Sequence, residues 1–187
     1  EASSLFALSV ARDRVLHVGH IELLTPATQW IRGFAADKTL LGGNVRFTGG
    51  ARPFATSPAH ANVARFQRII DAIGVPEDVS VERCTPSTLA VQLLYPNDVN
   101  VGLDCQMEEG LDRHLEIVLE FDKGIVRQQD RRIFVDGEEV ELTPGEGLFF
   151  TDQLAATASI LDGTESYIPM EQILDGLSVA DLVMGVS

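Results

Sequence analysis

Lysine is scarce in this chain of 187 residues, and the shortage narrows the class of partner. Lys38 and Lys123 are the only lysines, and 28 acidic against 14 basic residues leave a formal net charge of −14. Binding a nucleic-acid backbone requires clustered basic side chains that neutralise the phosphates. The composition offers no such stripe, so we do not expect a nucleic-acid partner.

Long apolar runs and closely spaced cysteines are also missing. No run approaches the roughly 18 residues of a membrane-spanning helix, and no basic start with a small-residue cleavage site marks a signal peptide. Cys84 and Cys105 stand in separate strand-like segments without a C-x-x-C pattern. We therefore expect no membrane partner, a cytoplasmic location, and buried thiols rather than a disulfide.

The glycine fingerprint of dinucleotide-binding domains is absent as well. No G-x-G-x-x-G follows a strand pattern, and the pairs Gly42-Gly43 and Gly49-Gly50 have the wrong spacing to cradle a pyrophosphate at the start of a helix. The chain opens at Glu1 inside an amphipathic pattern, without an initiator Met. We expect that the cofactor-binding half is missing from this sequence, which would then contain no cofactor-binding residue.

The first third of the chain contains short alternating helices and strands. Apolar residues make up 45% of the sequence, which is enough for one main core. Periodicity and capping residues predict a helix before Arg14, a strand over Val15–Val18, a helix over Pro26–Ala36, a strand over Gly42–Gly49 and a helix over Ala59–Ile73.

The rest of the chain is rich in strand patterns and ends in helices. Seven strand-like segments between Val79 and Leu142 are separated by short turns, so consecutive strands should be antiparallel. Leu115, Ile117, Leu119 and Phe121 alternate with Glu116, Val118 and Glu120, which indicates one covered and one more polar face. Helices over Leu148–Leu161 and Met170–Val183 should supply the cover. The sequence predicts an α+β fold with an open, largely antiparallel β-sheet covered by helices.

Two features of the chain resemble a known family of oxidoreductases. The stretch V-L-H-V-G-H-I-E-L-L over Val15–Leu24 is similar to the end of the nucleotide-binding domain in the glucose-fructose oxidoreductase and inositol dehydrogenase family, in the form of its biliverdin reductase branch. The order of elements after it resembles that family's substrate-binding and dimerisation domain. The resemblance implies that residues 1–24 are an αβ remnant of the nucleotide-binding Rossmann domain and that residues 25–187 form the substrate-binding/dimerisation domain.

The helix predicted over Ala59–Ile73 departs from the family's sugar dehydrogenases. Ala64 stands where they usually carry a His that acts in proton transfer. Arg65 and Arg68 follow, and the run A-R-F-Q-R-I-I-D-A-I-G resembles the Ser-Arg-containing helix of biliverdin reductases. This resemblance favours a tetrapyrrole reductase over an alcohol dehydrogenase.

Arg65 and Arg68 are candidates for substrate binding on chemical grounds alone. Residues three apart share a helix face, so the two guanidinium groups would project together, beside the glycine-rich loop Gly49–Pro58. Each could hold a carboxylate through two hydrogen bonds, which suits an anionic small-molecule substrate. The alternative is a surface ion pair with a nearby acidic residue: Asp71, Glu77 or Asp78.

His20 and Glu22 come at the carboxyl end of the predicted strand, where ligand sites of α/β sheets lie. They could orient a substrate or a water molecule, while Arg65 acts as the cationic group near a tetrapyrrole nitrogen that gains a proton as hydride reaches carbon. Alternatively, His20 is a structural group bonded to the backbone. His17 alternates with Leu16 and Val18 on the predicted strand, and we expect it to be structural. The spacing of these residues matches no metal motif, so no metal site is predicted.

The resemblance implies a parent enzyme that depends on NADP or NAD and transfers hydride to a linear tetrapyrrole. This chain would be its C-terminal substrate-binding domain, inactive alone, with catalytic residues Arg65, Glu22 and His20 and substrate-binding residues Arg65 and Arg68. A sugar-like or other carbonyl substrate and a non-catalytic assembly domain are the alternatives. An assembly domain predicts an apolar, self-complementary sheet face, which could also join two copies as a homodimer.

Overall fold

A computed structural model of the chain describes residues 1–51, 57–143, 147–163 and 166–185. Its helices are α1 (Ala2–Ala11), α2 (Pro26–Ala35), α3 (Pro58–Ala61), α4 (Val63–Ile73), α5 (Leu148–Asp162) and α6 (Met170–Met184), with a short 3-10 helix over Ile21–Leu24. Its strands are β1 (Leu40–Gly49), β2 (Asp78–Cys84), β3 (Thr88–Tyr95), β4 (Val99–Met107), β5 (His114–Phe121), β6 (Gly124–Gln129), β7 (Arg132–Val135) and β8 (Glu138–Val140).

All eight of these strands form one open sheet in the order β2-β3-β4-β1-β5-β6-β7-β8. The central strand β1 pairs parallel to β4 and antiparallel to β5. The remaining neighbours pair antiparallel, as their short turns require. The predicted α+β fold with a largely antiparallel sheet is confirmed.

Helices α2, α4 and α6 cover one face of the sheet. Ile31 of α2, Phe66 of α4 and Val179 of α6 belong to the same apolar core as buried residues of β1, β3, β4 and β5. Thr25 caps α2, because its hydroxyl accepts a hydrogen bond from the Thr28 amide at 3.2 Å. The covered side of the sheet therefore fixes where α4, the helix with the two candidate arginines, can lie.

The other face of the sheet is polar. Arg46 of β1 stands in register with Asp104 of β4 on one side and with Glu116 of β5 on the other. Glu116 also pairs with Arg127 of β6, at 2.5 Å. These charged residues do not fit the apolar sheet face expected of an assembly domain, and a homodimer through the sheet stays a prediction.

The prediction that helix α5 covers the sheet is wrong. None of its described residues belongs to the core on the sheet, and the helix lies against the 3-10 helix instead. Phe149, Phe150 and Leu161 are exposed on it. Its apolar residues surround the helix rather than forming one stripe, so they define no single face for packing on the sheet.

The strand predicted over Val15–Val18 is also wrong. Residues 14–20 have no regular structure, and none of the eight described strands pairs with them. A strand needs a neighbour for its backbone hydrogen bonds. Here the His20 amide donates instead to the Tyr167 hydroxyl, at 2.7 Å.

The helix predicted over Ala59–Ile73 is divided at Asn62 into α3 and α4. The Asn62 amide bonds the carbonyl of Ala59, and its side-chain nitrogen bonds the carbonyl of Pro58 at 2.9 Å. The side chain thus replaces one helical backbone bond and allows the break. Gly74 ends α4 with φ of 89°, as its position after the helix predicts.

Cys84 and Cys105 are both thiols, and the described residues contain no disulfide. Cys105 is buried in β4, as predicted. The predicted burial of Cys84 is wrong, because it lies at the end of the edge strand β2 and is exposed. No helix in the described ranges is both long and apolar enough to cross a membrane.

Candidate functional site

The structure brings the sequence-predicted site residues together where the 3-10 helix meets α4. Glu22 lies on the 3-10 helix, and its Oε2 is 3.4 Å from Nη1 of Arg65 on α4. His20 immediately precedes the same 3-10 helix, and Arg68 follows Arg65 by about one helical turn. The four residues form one cluster, which we call the arginine site.

Both arginines are buried rather than placed on the surface. Arg65 is 4% exposed and Arg68 is 6% exposed, so the alternative of surface ion pairs is wrong. Asp71 is engaged elsewhere, with Arg32 at 3.3 Å and Gln172 at 3.2 Å. Arginine is almost never fully buried unless it is paired, so its burial twice in one turn marks this helix as unusual.

The guanidinium group of Arg65 packs against an aromatic residue of the sheet. Its guanidinium carbon lies 3.9 Å from the centre of the Phe47 ring on β1, a geometry in which the face of the ring attracts the cation. Glu22 meets the same guanidinium group from the side of the 3-10 helix. The planar group is thus oriented by an aromatic face and a carboxylate.

Arg68 is oriented by a residue that the sequence analysis missed. Its Nη2 donates to Oε1 of Gln128 at 2.8 Å, and Gln128 Nε2 donates to the carbonyl of Asp130. That second bond determines which end of the amide faces the arginine. The available signal was a glutamine two residues after Val126, on the covered face of a predicted strand.

Arg113 is the second residue that the sequence analysis missed. It lies between β4 and β5, its side chain is 71% exposed, and its Nη2 is 2.5 Å from Oε1 of Glu22. Glu22 therefore bridges a buried and an exposed arginine, and we include Arg113 in the arginine site. No local pattern predicts this pair, because 91 residues separate its members.

The charges of the arginine site shift the pKa values of its members. Burial alone would raise the pKa of Glu22, but Arg65, Arg68 and Arg113 outweigh it and lower that pKa below its ordinary value. Burial lowers the pKa of Arg68 to about 10, which leaves it charged at neutral pH. The site at pH 7 thus contains three guanidinium cations and one carboxylate.

His20 is a buried histidine whose ring nitrogens both lack a hydrogen-bond partner among the described residues. Burial lowers its pKa below 6.5; Glu22 opposes that shift, while the two buried arginines reinforce it. The structural alternative of a ring bonded to the backbone is wrong, because only the backbone amide of His20 bonds Tyr167. A buried polar group without a partner needs water or a ligand.

A hydrogen-bonded network supports the backbone of His20. The Tyr167 hydroxyl accepts from the His20 amide and donates to Asp152 Oδ1 at 2.5 Å. His17 Nε2 lies 3.1 Å from the same oxygen. This network ties the irregular segment before the 3-10 helix to α5.

We expect the free energy of unfolding to fall as pH drops below 6.5, in part because of His20. The pKa of His20 is lower in the folded state than in the unfolded chain. As pH falls, the unfolded chain therefore binds the proton first and is stabilised relative to the folded state, until the pH reaches the folded pKa. Urea unfolding of the unsubstituted chain and of its His20→Gln variant at several pH values tests this expectation. The variant should lose less stability on acidification; equal pH slopes would contradict the assignment.

Comparison with known proteins places this geometry in a familiar fold. The biliverdin reductase of Synechocystis sp. PCC 6803, solved in complex with biliverdin and NADP+, superposes with a TM-score of 0.84 over 99% of this chain and 67% of its own, at 21% identity. The chain shares its fold with biliverdin reductase. Mouse biliverdin reductase A is 26% identical over 83% of this chain. The predicted resemblance is confirmed.

The biliverdin reductase fold is also shared with enzymes whose names refer to sugars. UDP-N-acetylglucosamine 3-dehydrogenase GnnA from Acidithiobacillus ferrooxidans superposes with a TM-score of 0.81 at 13% identity, over 99% of this chain and 65% of its own. This chain spans 57% of the length of the mouse protein. No model of a known protein family matches it.

Proposed function

We propose that this chain is the substrate-binding part of an NAD(P)H-dependent oxidoreductase that reduces a linear tetrapyrrole of the biliverdin class. The observation that carries the proposal is the buried pair Arg65 and Arg68 beside His20 and Glu22, in a chain with the biliverdin reductase fold. In this proposal residues 25–187 are the substrate domain and residues 1–24 belong to the nucleotide-binding domain.

The charge of the arginine site supports an acidic substrate. Three guanidinium groups face one carboxylate, which leaves an excess of positive charge in a chain of net charge −14. Linear tetrapyrroles of this class have carboxylate side chains, and arginine holds a carboxylate through paired, charge-assisted hydrogen bonds. Arg65 and Arg68 are the proposed substrate-binding residues, because they are buried and already oriented.

The protonation states support distinct roles in the reaction. Reduction adds hydride to a bridging carbon of the tetrapyrrole and a proton to a pyrrole nitrogen. Arg65 would stabilise the charge at that nitrogen, since a fixed cation in a water-poor site favours the transition state. Glu22, as a carboxylate, and His20, as a neutral imidazole, would orient the substrate or the water that delivers the proton.

In this proposal the hydride comes from a nicotinamide cofactor. β1 and β4 are the one parallel pair among the described strands, and the sequence has no glycine fingerprint. We propose that NADPH or NADH binds mainly to a nucleotide-binding domain outside these residues, so this chain alone should not turn over. A cytoplasmic location is part of this proposal, and the exposed thiol of Cys84 is consistent with it.

A sugar-like or other carbonyl substrate is the second candidate, because the GnnA structure shares the fold. Position 64 argues against it. Ala64 offers no titratable group where the family resemblance places the proton-transferring histidine.

The test uses the full protein encoded by the gene that contains this chain. Reduction of biliverdin with NADPH and with NADH is followed by absorbance, and oxidation of UDP-N-acetylglucosamine with NADP+ and NAD+ is measured in parallel. We expect turnover of biliverdin only, and none by the 187-residue chain alone. A folded, cofactor-binding protein that reduces no biliverdin would overturn the proposed substrate.

A further inference from the structure

We propose that Glu22 stands in the place of a ligand carboxylate between Arg65 and Arg113, and that an acidic ligand enters the arginine site by displacing it. Arg113 is then the first cation that the ligand meets. This inference rests on the acidic substrate of the proposed function and deepens it. It assigns a binding role to an exposed residue and a gating role to a carboxylate.

The two oxygens of Glu22 are divided between two arginines. Oε2 faces Nη1 of buried Arg65, and Oε1 faces Nη2 of exposed Arg113. The Glu22 side chain is 19% exposed, so its carboxylate lies at the boundary between the interior and the solvent. A carboxylate that approaches from outside would pass Arg113, then the position of Glu22, and then reach Arg65.

Each contact of Glu22 can be exchanged. The 3.4 Å separation from Arg65 is longer than a well-formed hydrogen bond. The contact with Arg113 is short, but its arginine is exposed to screening by water and salt. A ligand carboxylate could therefore replace Glu22 at both arginines without leaving either cation unpaired.

The arginine site also needs a carboxylate when no ligand is bound. A buried arginine that loses its counter-charge is strongly destabilising. Glu22 supplies that charge to Arg65 while no ligand is bound, and the ligand supplies it afterwards. His20 then offers ring nitrogens that have no partner among the described residues, and these could bind the polar atoms of the ligand.

The first test measures binding of adipate, a flexible dicarboxylate, to the 187-residue chain by isothermal titration calorimetry. Glu22→Gln removes the competing charge, and we expect it to raise the affinity about tenfold, the size of one charge-assisted hydrogen bond. The matched control is Glu116→Gln, because Glu116 makes a similar short pair with Arg127 on the polar sheet face. The control should bind adipate as the parent does.

The second test concerns Arg113. Because Arg113 is exposed, Arg113→Gln should keep the fold. We expect it to weaken adipate binding several-fold, both in the otherwise unsubstituted chain and in the Glu22→Gln variant. Its control, Arg127→Gln, should change nothing. Adipamide, the neutral counterpart of adipate, should not bind.

Either of two results would overturn the inference. In the first, Glu22→Gln binds adipate no more tightly than Glu116→Gln does. In the second, Arg113→Gln binds adipate as tightly as the unsubstituted chain does. Thermal unfolding checks that each variant is folded. If Glu22→Gln does not fold, Glu22→Asp replaces it, since a shorter carboxylate keeps a counter-charge for Arg65 but cannot reach both arginines; its affinity should rise. Adipate binding as expected without biliverdin reduction would refute only the proposed substrate.

Discussion

Arg65→Ala should lower kcat/KM for biliverdin reduction by the full protein by about 100- to 1,000-fold, the range found when one preorganised donor is removed from a transition state. Arg65 is the arginine whose guanidinium plane lies over the Phe47 ring, so it is oriented before the substrate binds and its charge costs little rearrangement during the reaction. Initial rates at several biliverdin concentrations give kcat and KM separately.

Loss of Arg65 also removes one of the two arginine partners of Glu22, so activity and folding must be separated. The double variant Arg65→Ala with Glu22→Gln also removes the carboxylate that has lost its buried partner; it should recover part of the stability but none of the lost activity. Arg65→Lys should restore only a fraction of the rate, because it keeps the charge and loses the planar fork. Arg127→Ala, at an exposed arginine that also pairs with a glutamate, is the matched control. Turnover by folded Arg65→Ala comparable with that of the control would contradict the catalytic role.

Phe66→Ala should lower the free energy of unfolding by about 3–5 kcal/mol, the largest stability effect that we expect. Phe66 is completely buried under α4, in the core shared with the sheet, and its removal leaves a cavity that the rigid strands cannot close. Urea unfolding of the 187-residue chain measures the change.

The matched control for Phe66→Ala is Phe149→Ala. Phe149 is 78% exposed on α5, so the same chemical change should alter stability by no more than about 0.5 kcal/mol. Equal losses for the two variants would mean that α4 does not anchor the core. Because Arg65 precedes Phe66 directly, a large loss would also link the stability of the core to the geometry of the arginine site.

Helix α4 explains why a single stripe of apolar residues was an incomplete guide. Its pattern of Val63, Phe66, Ile69 and Ile70 predicts one core-facing side. In the structure all six residues from Arg65 to Ile70 are buried, because the sheet lies on one side of the helix and α2, α6 and the 3-10 helix lie on the others. The two arginines within that buried run contribute to the arginine site.

The sequence by itself determined the strands from β2 to β8, the caps of α2 and α4, and the candidate residues His20, Glu22, Arg65 and Arg68. These features depend on near neighbours in the chain: alternation, turn residues and helix spacing are local properties. Their prediction therefore required no knowledge of what lies across the sheet.

Only the tertiary structure decided which groups meet. In the structure β1 lies near the centre of the sheet, and residues 14–20 pair with none of the described strands. Arg113 and Gln128 reach the arginine site from distant segments of the chain. Burial turned two arginines that could have formed surface ion pairs into a site with excess positive charge. Pairing partners and desolvation arise from contacts between residues far apart in the chain, and local sequence patterns do not encode them.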